Sequence, residues 1–479
     1  MSKPRLLFCA SEVYPFAKSG GLADVAHSLP RALCSTYAVE VVLPLYQCID
    51  REAFGIKPLG EEYAVQMGGI SYPVMLYGCT YEGVAYRFIY SPLLCDRTFL
   101  YGPPDSGYED NALRYGLFSY AVVTLLKKEA YSIVHLNDWQ SALVALLIKE
   151  ETIIKTKSVF TIHNLAYQGV FAHQALLELG LDGRYFSMES MEFYGQINFM
   201  KAGIAYADRI TTVSPTYAKE ILTPEFGCGL EGFLHFHRHK LSGIVNGIDT
   251  KHFSPSQDKT LVFPYVDLRG KAVNKRAYLK QTALKEAKKP LFIFVGRFAS
   301  QKGLDLLIEI LPDLVKRECT IAFLGEGESK YHQALEALAK TYDTVHVTCG
   351  YDEALSHQMY AAADFFLMPS LFEPCGLAQM IAMRYGVLPI VHHVGGLADT
   401  VQDYTSFTAQ SAKGYGVVFS QPKAETFLAA LDDALALYTN KRRYNKVAKH
   451  NMRCDFSWQE SAKSYLEIYE TLRAQSSHA

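Results

Sequence analysis

Short apolar runs that read as strands alternate with helical stretches along this chain, and the alternation runs through once and then starts afresh. That pattern constrains the fold more than any other feature. Arg5–Cys9 opens the first series, and after a loop Leu22, Val25, Ala26 and Leu29 recur at the spacing of an amphipathic helix's apolar stripe. Residues 39–43, 133–136, 159–162, 209–213 and 244–245 continue as strand candidates. The second series comprises residues 291–295, 321–324, 345–348, 365–368, 389–391 and 417–419. Buried runs set between helices imply parallel sheets covered on both faces. The stretch from about 250 to 288 is polar, carries Pro255 and Pro264 and shows no clean strand, so the boundary is expected there. From Trp458 the chain reads as a helix ending in a polar tail, Gln475, Ser476 and Ser477. The expected fold is α/β, with two Rossmann-like doubly wound domains facing a cleft. In such sheets the loops after the strands carry the ligand.

A length of 479 residues exceeds one ordinary core, and 49% hydrophobic with 20% charged residues fits an ordered globular chain. A formal net charge of −2 argues against partnership with nucleic acid or an anionic membrane surface. No run of about 18 apolar residues predicts a membrane span. Residues 1–5 lack the apolar centre of a signal peptide. Ten cysteines stand singly without a C-x-x-C pair, which reads as reduced thiols in the cytoplasm.

Five stretches carry chemistry. Lys18-Ser19-Gly20-Gly21-Leu22-Ala23-Asp24 joins the first strand to the first helix, where two glycines allow close backbone approach and free N–H groups attract an anion. An exposed lysine on a plain turn is the competing reading. The last five residues of that loop occur again as Gly395 to Asp399, without a lysine beside them. The loop from Gly296 to Leu304 places Arg297 and Lys302 together, two cations suited to the charge that develops on a departing diphosphate. Solvated surface cations would look the same.

Phe372 to Gln379 puts Glu373 ahead of Pro374, which is placed to open a helix whose first amides belong to Gly376 and Leu377. A structural helix cap is the alternative. Cys375 between them reads as packed rather than reactive. His163 ends one strand, and Asp138 with Trp139 follows another, offering a carboxylate for hydroxyls and a flat face for a pyranose. A strand-end histidine is also a common structural device. None of these stretches has recognised metal-ligand spacing.

Taken in order, these stretches, with Asn246-Gly247-Ile248-Asp249, resemble the bacterial glycogen synthase and plant starch synthase family over essentially the whole chain. The resemblance implies a GT-B glycosyltransferase: an acceptor-side domain over residues 1–250, a donor-side domain over 251–455, and a helix over 456–479 crossing back to the first domain. It implies transfer of glucose from ADP-glucose to the 4-OH of an α-1,4-glucan with retention, for glycogen biosynthesis; a relative using UDP-glucose is the alternative. By position, Lys18, Arg297 and Lys302 would hold the diphosphate with the amides of Gly20 and Gly21. Asp24, His163, Asn246 and Glu373 would line the donor glucose, and Cys375, Gly376 and Leu377 would complete the donor site. Tyr351 would lie near adenine, and Asp138 and Trp139 toward the acceptor. His163, Glu373, Arg297 and Lys302 are the expected catalytic set, with no cofactor and no metal. The family usually has threonine where this chain has Ala378, removing a hydroxyl that could donate to phosphate.

Overall fold

The computed structural model describes residues 3–103, 106–284 and 289–476; Ser477 of the expected tail lies outside them. The chain divides into two compact units: Met1–Val213, Ala218–Gly247 and Trp458–Ala479 form one, Ser214–Tyr217 and Ile248–Ser457 the other. The short excursion 214–217 has no signal in the sequence pattern. Residues 250–284 of the segment read above as a boundary already belong to the second unit. Their helix, Leu268–Gln281, buries Lys271, whose ammonium donates to the carbonyls of Tyr360 (2.8 Å), Ala361 (3.2 Å) and Tyr385 (3.0 Å).

The strands, in chain order, are β1 (Arg5–Cys9), β2 (Ala38–Pro44), β3 (Lys57–Met67), β4 (Ile70–Tyr81), β5 (Val84–Tyr90), β6 (Ile133–Asn137), β7 (Lys157–Ile162), β8 (Val170–Ala172), β9 (Glu192–Phe193), β10 (Gln196–Asn198), β11 (Arg209–Thr212) and β12 (Leu241–Gly243). In the second unit they are β13 (Leu291–Val295), β14 (Thr320–Gly325), β15 (Val345–Cys349), β16 (Phe365–Met368), β17 (Leu388–His392), β18 (Val401–Asp403) and β19 (Gly414–Phe419).

The first unit's main sheet runs β12-β11-β7-β6-β1-β2-β5-β4-β3. It is parallel from β12 to β5, with β4 and β3 added antiparallel. The sequence pattern does not signal this extension, because β3 shows mostly exposed, polar residues and so no apolar run. β12 lies just before the expected 244–245. Pairing with β11 ends at Gly243, and Ile244 and Val245 lead the chain off the sheet toward Asn246. The expected stripe is real: Leu22, Val25, Ala26 and Leu29 are buried on the helix Gly21–Leu33.

The helix Trp458–Ser476 packs into this first unit. Tyr469 meets the buried His135 at 2.6 Å, and the Tyr37 hydroxyl donates to Glu470 at 2.8 Å. The second unit's sheet runs β15-β14-β13-β16-β17-β19-β18, all parallel, around an apolar core that includes Phe292, Phe323, Phe365 and Phe427. Among the described residues no helix is long and apolar enough to cross a membrane.

Candidate active site

In the second sheet, successive strands proceed outward from β13 on one side and from β16 on the other. Where the order reverses, the loops leaving the two strands diverge, and ligands collect outside the strands' carboxyl ends. Both loops there are charged. After β13, Arg297 is exposed, with Nη2 3.3 Å from Gln301 Oε1. Lys302 ends a 3-10 turn, Ser300–Lys302, and Gly303 turns the chain into the helix Leu304–Val315. After β16, Ser370 and Glu373 follow.

The loops meet. Lys302 Nζ lies 2.6 Å from Glu373 Oε2, to which the Ser370 hydroxyl also donates at 2.9 Å. Exposure is 19% for the lysine side chain and 7% for the glutamate. The sequence reading gave Lys302 to a diphosphate and Glu373 to a sugar as separate groups; the structure makes them one ion pair. Each keeps capacity, because an ammonium has three protons and a carboxylate two oxygens. Leu371 N–H donates to Gln301 O at 2.9 Å, which ties the two loops through their backbones.

Pro374 does not open a helix. Gly376 adopts a left-handed φ of +73°, and the helix begins later, at Ala378–Arg384. The Gln379 amide folds back to donate to Cys375 O (3.2 Å), Gly376 O (2.9 Å) and Thr400 Oγ1 (3.0 Å). Cys375 is buried, while Gly376 and Leu377 are half-buried. The second copy of the glycine string supports this loop. Gly396 N–H donates to Glu373 O at 3.0 Å, and a Cβ on Gly396 would stand 2.2 Å from Cys375 O. Asp399 accepts from Thr216 N (2.8 Å) and Thr216 Oγ1 (2.9 Å). Tyr351, following Gly350, is 69% exposed.

The first sheet reverses between β1 and β6. In the loop after β1, the buried Glu12 carboxylate accepts from Ser19 N (2.6 Å), the Ser19 hydroxyl and Gly20 N (3.2 Å). The Gly20 amide is therefore turned inward rather than offered to an anion, which corrects that expectation. Burial holds the Glu12 carboxyl above its ordinary range, even with these donors pulling it down. Lys18 Nζ pairs with Asp24 Oδ1 at 2.7 Å, both partly exposed. Gly21 starts the helix, and a Cβ there would meet open space.

After β6, Asp138 takes a strained φ of +54°. Its carboxylate accepts from His163 N at 2.7 Å and from the Asn164 amide. Asn137 Nδ2 donates to Cys9 O at 2.8 Å, which turns Asn137 Oδ1 toward His163 Nε2 at 2.9 Å. Nε2 therefore carries the proton and Nδ1 is left as an acceptor. Burial pushes the His163 imidazole down to about 3, so it is neutral at ordinary pH. Trp139 does not offer a free face. It is buried against Tyr115 and Phe171, and a Cβ on Gly169 would lie 2.5 Å from its indole Cε3. Asn246 is 5% exposed, and its Oδ1 has no hydrogen-bond partner among the described residues. A buried amide oxygen left so costs about 1–3 kcal/mol, which a ligand hydroxyl would offset.

Burial raises the Asp138 carboxyl to about 7, above its ordinary 3.8. A raised folded-state value contributes stability that is complete below the unfolded value and is lost as pH rises through the folded one. The wild-type melting temperature should therefore fall between about pH 4 and 7 by an increment that Asp138→Asn removes. Melts of both proteins across that range check it; equal slopes would refute the titration.

Glu12, Asn137 and Ser370 were not singled out in the sequence. Each lies within three residues of a strand end, which is the signal that could have found them.

Comparison with known proteins adds five findings. The family model for the starch synthase catalytic domain matches residues 5–236, and that for glycosyl transferases group 1 matches 275–451. A glycogen synthase from Syntrophotalea carbinolica is 41% identical over 476 residues, 97% of this chain and 98% of that one. A glycogen synthase from Aquifex aeolicus is 42% identical over 475 residues, 98% and 99%. Among solved structures, the catalytic domain of starch synthase IV from Arabidopsis thaliana, bound to ADP and acarbose, superposes with a TM-score of 0.91 at 33% identity over 99% of this chain and 100% of that one.

Proposed function

This chain belongs to the glycogen synthase family, with the GT-B fold, and from that premise we propose that it transfers glucose from ADP-glucose to the non-reducing 4-OH of an α-1,4-glucan. Anomeric configuration is retained. The bond from C1 to the β-phosphate oxygen breaks, a bond from C1 to the acceptor O4 forms, and the acceptor's proton passes to the departing phosphate. ADP leaves. The observation that carries the reading is the Lys302–Glu373 pair, a cation and a carboxylate joined at the strand-order reversal of the second unit.

Arg297 and Lys302 are assigned to the diphosphate, where fixed positive charge stabilises the leaving group most as its bond breaks. Lys18 is assigned to a phosphate as well, with Gly21 leaving room for close approach. These cations supply the neutralisation that a metal provides in other transferases. Glu373 Oε1, His163 Nδ1 and Asn246 Oδ1 are assigned to sugar hydroxyls as acceptors, and Asp24 is assigned to the donor glucose as well. Cys375, Gly376 and Leu377 shape the donor loop, and Tyr351 is assigned to the adenine side. Asp138 acts on the acceptor side by fixing the His163 loop; Trp139 acts only as packing beneath it. The ten free cysteines support a cytoplasmic setting.

Initial rates with ADP-glucose and UDP-glucose on a glycogen primer test this reading. Transfer should be faster with ADP-glucose by about tenfold or more, the equivalent of ~1.4 kcal/mol of differential binding. Equal rates would overturn the donor assignment, and absence of ADP release would overturn the activity.

A further inference from the structure

Apart from every residue assigned above, the second unit gathers His252, Glu353 and His357, whose ligand atoms all lie within 4.8 Å of one another. Glu353 and His357 are four residues apart on the helix Glu353–Ala362, so they share a face. His252 comes from a loop that approaches this face. Its Nε2 lies 3.0 Å from Glu353 Oε1, and its ring stands at 81° to that of His357, with centroids 5.0 Å apart.

His357 is 3% exposed. Its Nδ1 lies 2.7 Å from Asp258 Oδ2, to which the Tyr385 hydroxyl also donates at 2.6 Å. Asp258 Oδ2 is the acceptor in both contacts, so the imidazole proton sits on Nδ1 and Nε2 presents its lone pair. That nitrogen is buried and has no hydrogen-bond partner among the described residues. A carboxylate behind an imidazole, fixing its tautomer and raising its basicity, is the arrangement that supports a metal-bound histidine.

We propose that His252 Nε2, His357 Nε2 and the Glu353 carboxylate form a binding site for a divalent transition-metal ion, zinc by preference. Two imidazoles and a carboxylate match the ligand chemistry of zinc and leave a fourth position open. Entry is possible, since the His252 and Glu353 side chains are 36% and 35% exposed. The ion would clamp the His252 loop to the first turn of the helix, and its role is structural. It takes no part in neutralising the diphosphate.

The test uses the full chain after treatment with a chelator, titrated with zinc chloride by calorimetry and followed by thermal melting. One equivalent should bind per chain and raise the melting temperature. His252→Ala and Glu353→Gln, both at partly exposed positions, should each weaken binding by about tenfold or more, and Asp258→Asn by about 10- to 100-fold through loss of the supporting carboxylate. Cobalt(II) should give the intense visible bands of a four-coordinate ion in the wild type and lose them in His252→Ala. Failure to bind stoichiometrically overturns the proposal. So does binding that His252→Ala and Glu353→Gln leave unchanged, which would mark ordinary surface histidines as the ligands.

Discussion

Lys302→Ala is expected to lower the rate of glucose transfer by about 10²- to 10³-fold, the usual loss when one preorganised charge-stabilising group is removed. The substitution has a second consequence that follows from the ion pair. Glu373 would remain buried with Ser370 as its only polar support among the contacts described, and breaking a buried pair on one side costs up to about 3–5 kcal/mol. The two effects separate in Lys302→Ala/Glu373→Gln, where the stranded charge is gone. That double variant should regain much of the lost melting temperature and none of the lost rate. A folded Lys302→Ala protein with an unchanged rate would refute the diphosphate assignment. Recovery of rate in the double variant would show that Lys302 serves only to hold Glu373.

Gly303→Ala should strongly destabilise the second unit. Gly303 sits at φ +70°, where an L side chain is strained, and its Cβ would stand 2.1 Å from Pro369 O. Strain and backbone displacement together should cost more than about 3 kcal/mol. For a unit of this size that is a drop of about 6–12 °C in melting temperature. Because Pro369 precedes the Ser370–Glu373 turn, donor KM should rise as well. Differential scanning calorimetry with steady-state kinetics measures both; a melt within about 1 °C of wild type would show that the two loops slide apart at little cost.

Much of this architecture was legible because buried parallel strands are apolar throughout. Leu291–Val295 and Phe365–Met368 announce themselves, and the loops after them carry the expected Arg297, Lys302 and Glu373. The β3–β5 extension stayed hidden, since a sheet edge with one face in water has no continuous apolar run. Side-chain direction was hidden too. Nothing in the order of residues says that Trp139 packs under Gly169, or that Glu12 reaches forward to take the Gly20 amide. The two copies of Gly-Gly-Leu-Ala-Asp look alike in sequence and differ in structure. One stands beside a lysine at the head of a helix, while the other lets its backbone lie against Cys375. Spacing can locate a loop, but only packing decides which of its groups remain available.

The helix Trp458–Ser476 places Tyr465 and Tyr469 in the interior of the unit that begins at the other end of the sequence. Chain order and completion order therefore diverge during synthesis. As the polypeptide leaves the ribosome, Tyr37 and His135 are made well before their partners Glu470 and Tyr469, and nearly all of the second unit emerges in between. Such a gap leaves apolar surface open to solvent for the interval of elongation, which is when chaperones act on nascent chains. The cover over the first unit's interior is therefore made only after nearly all of the second unit.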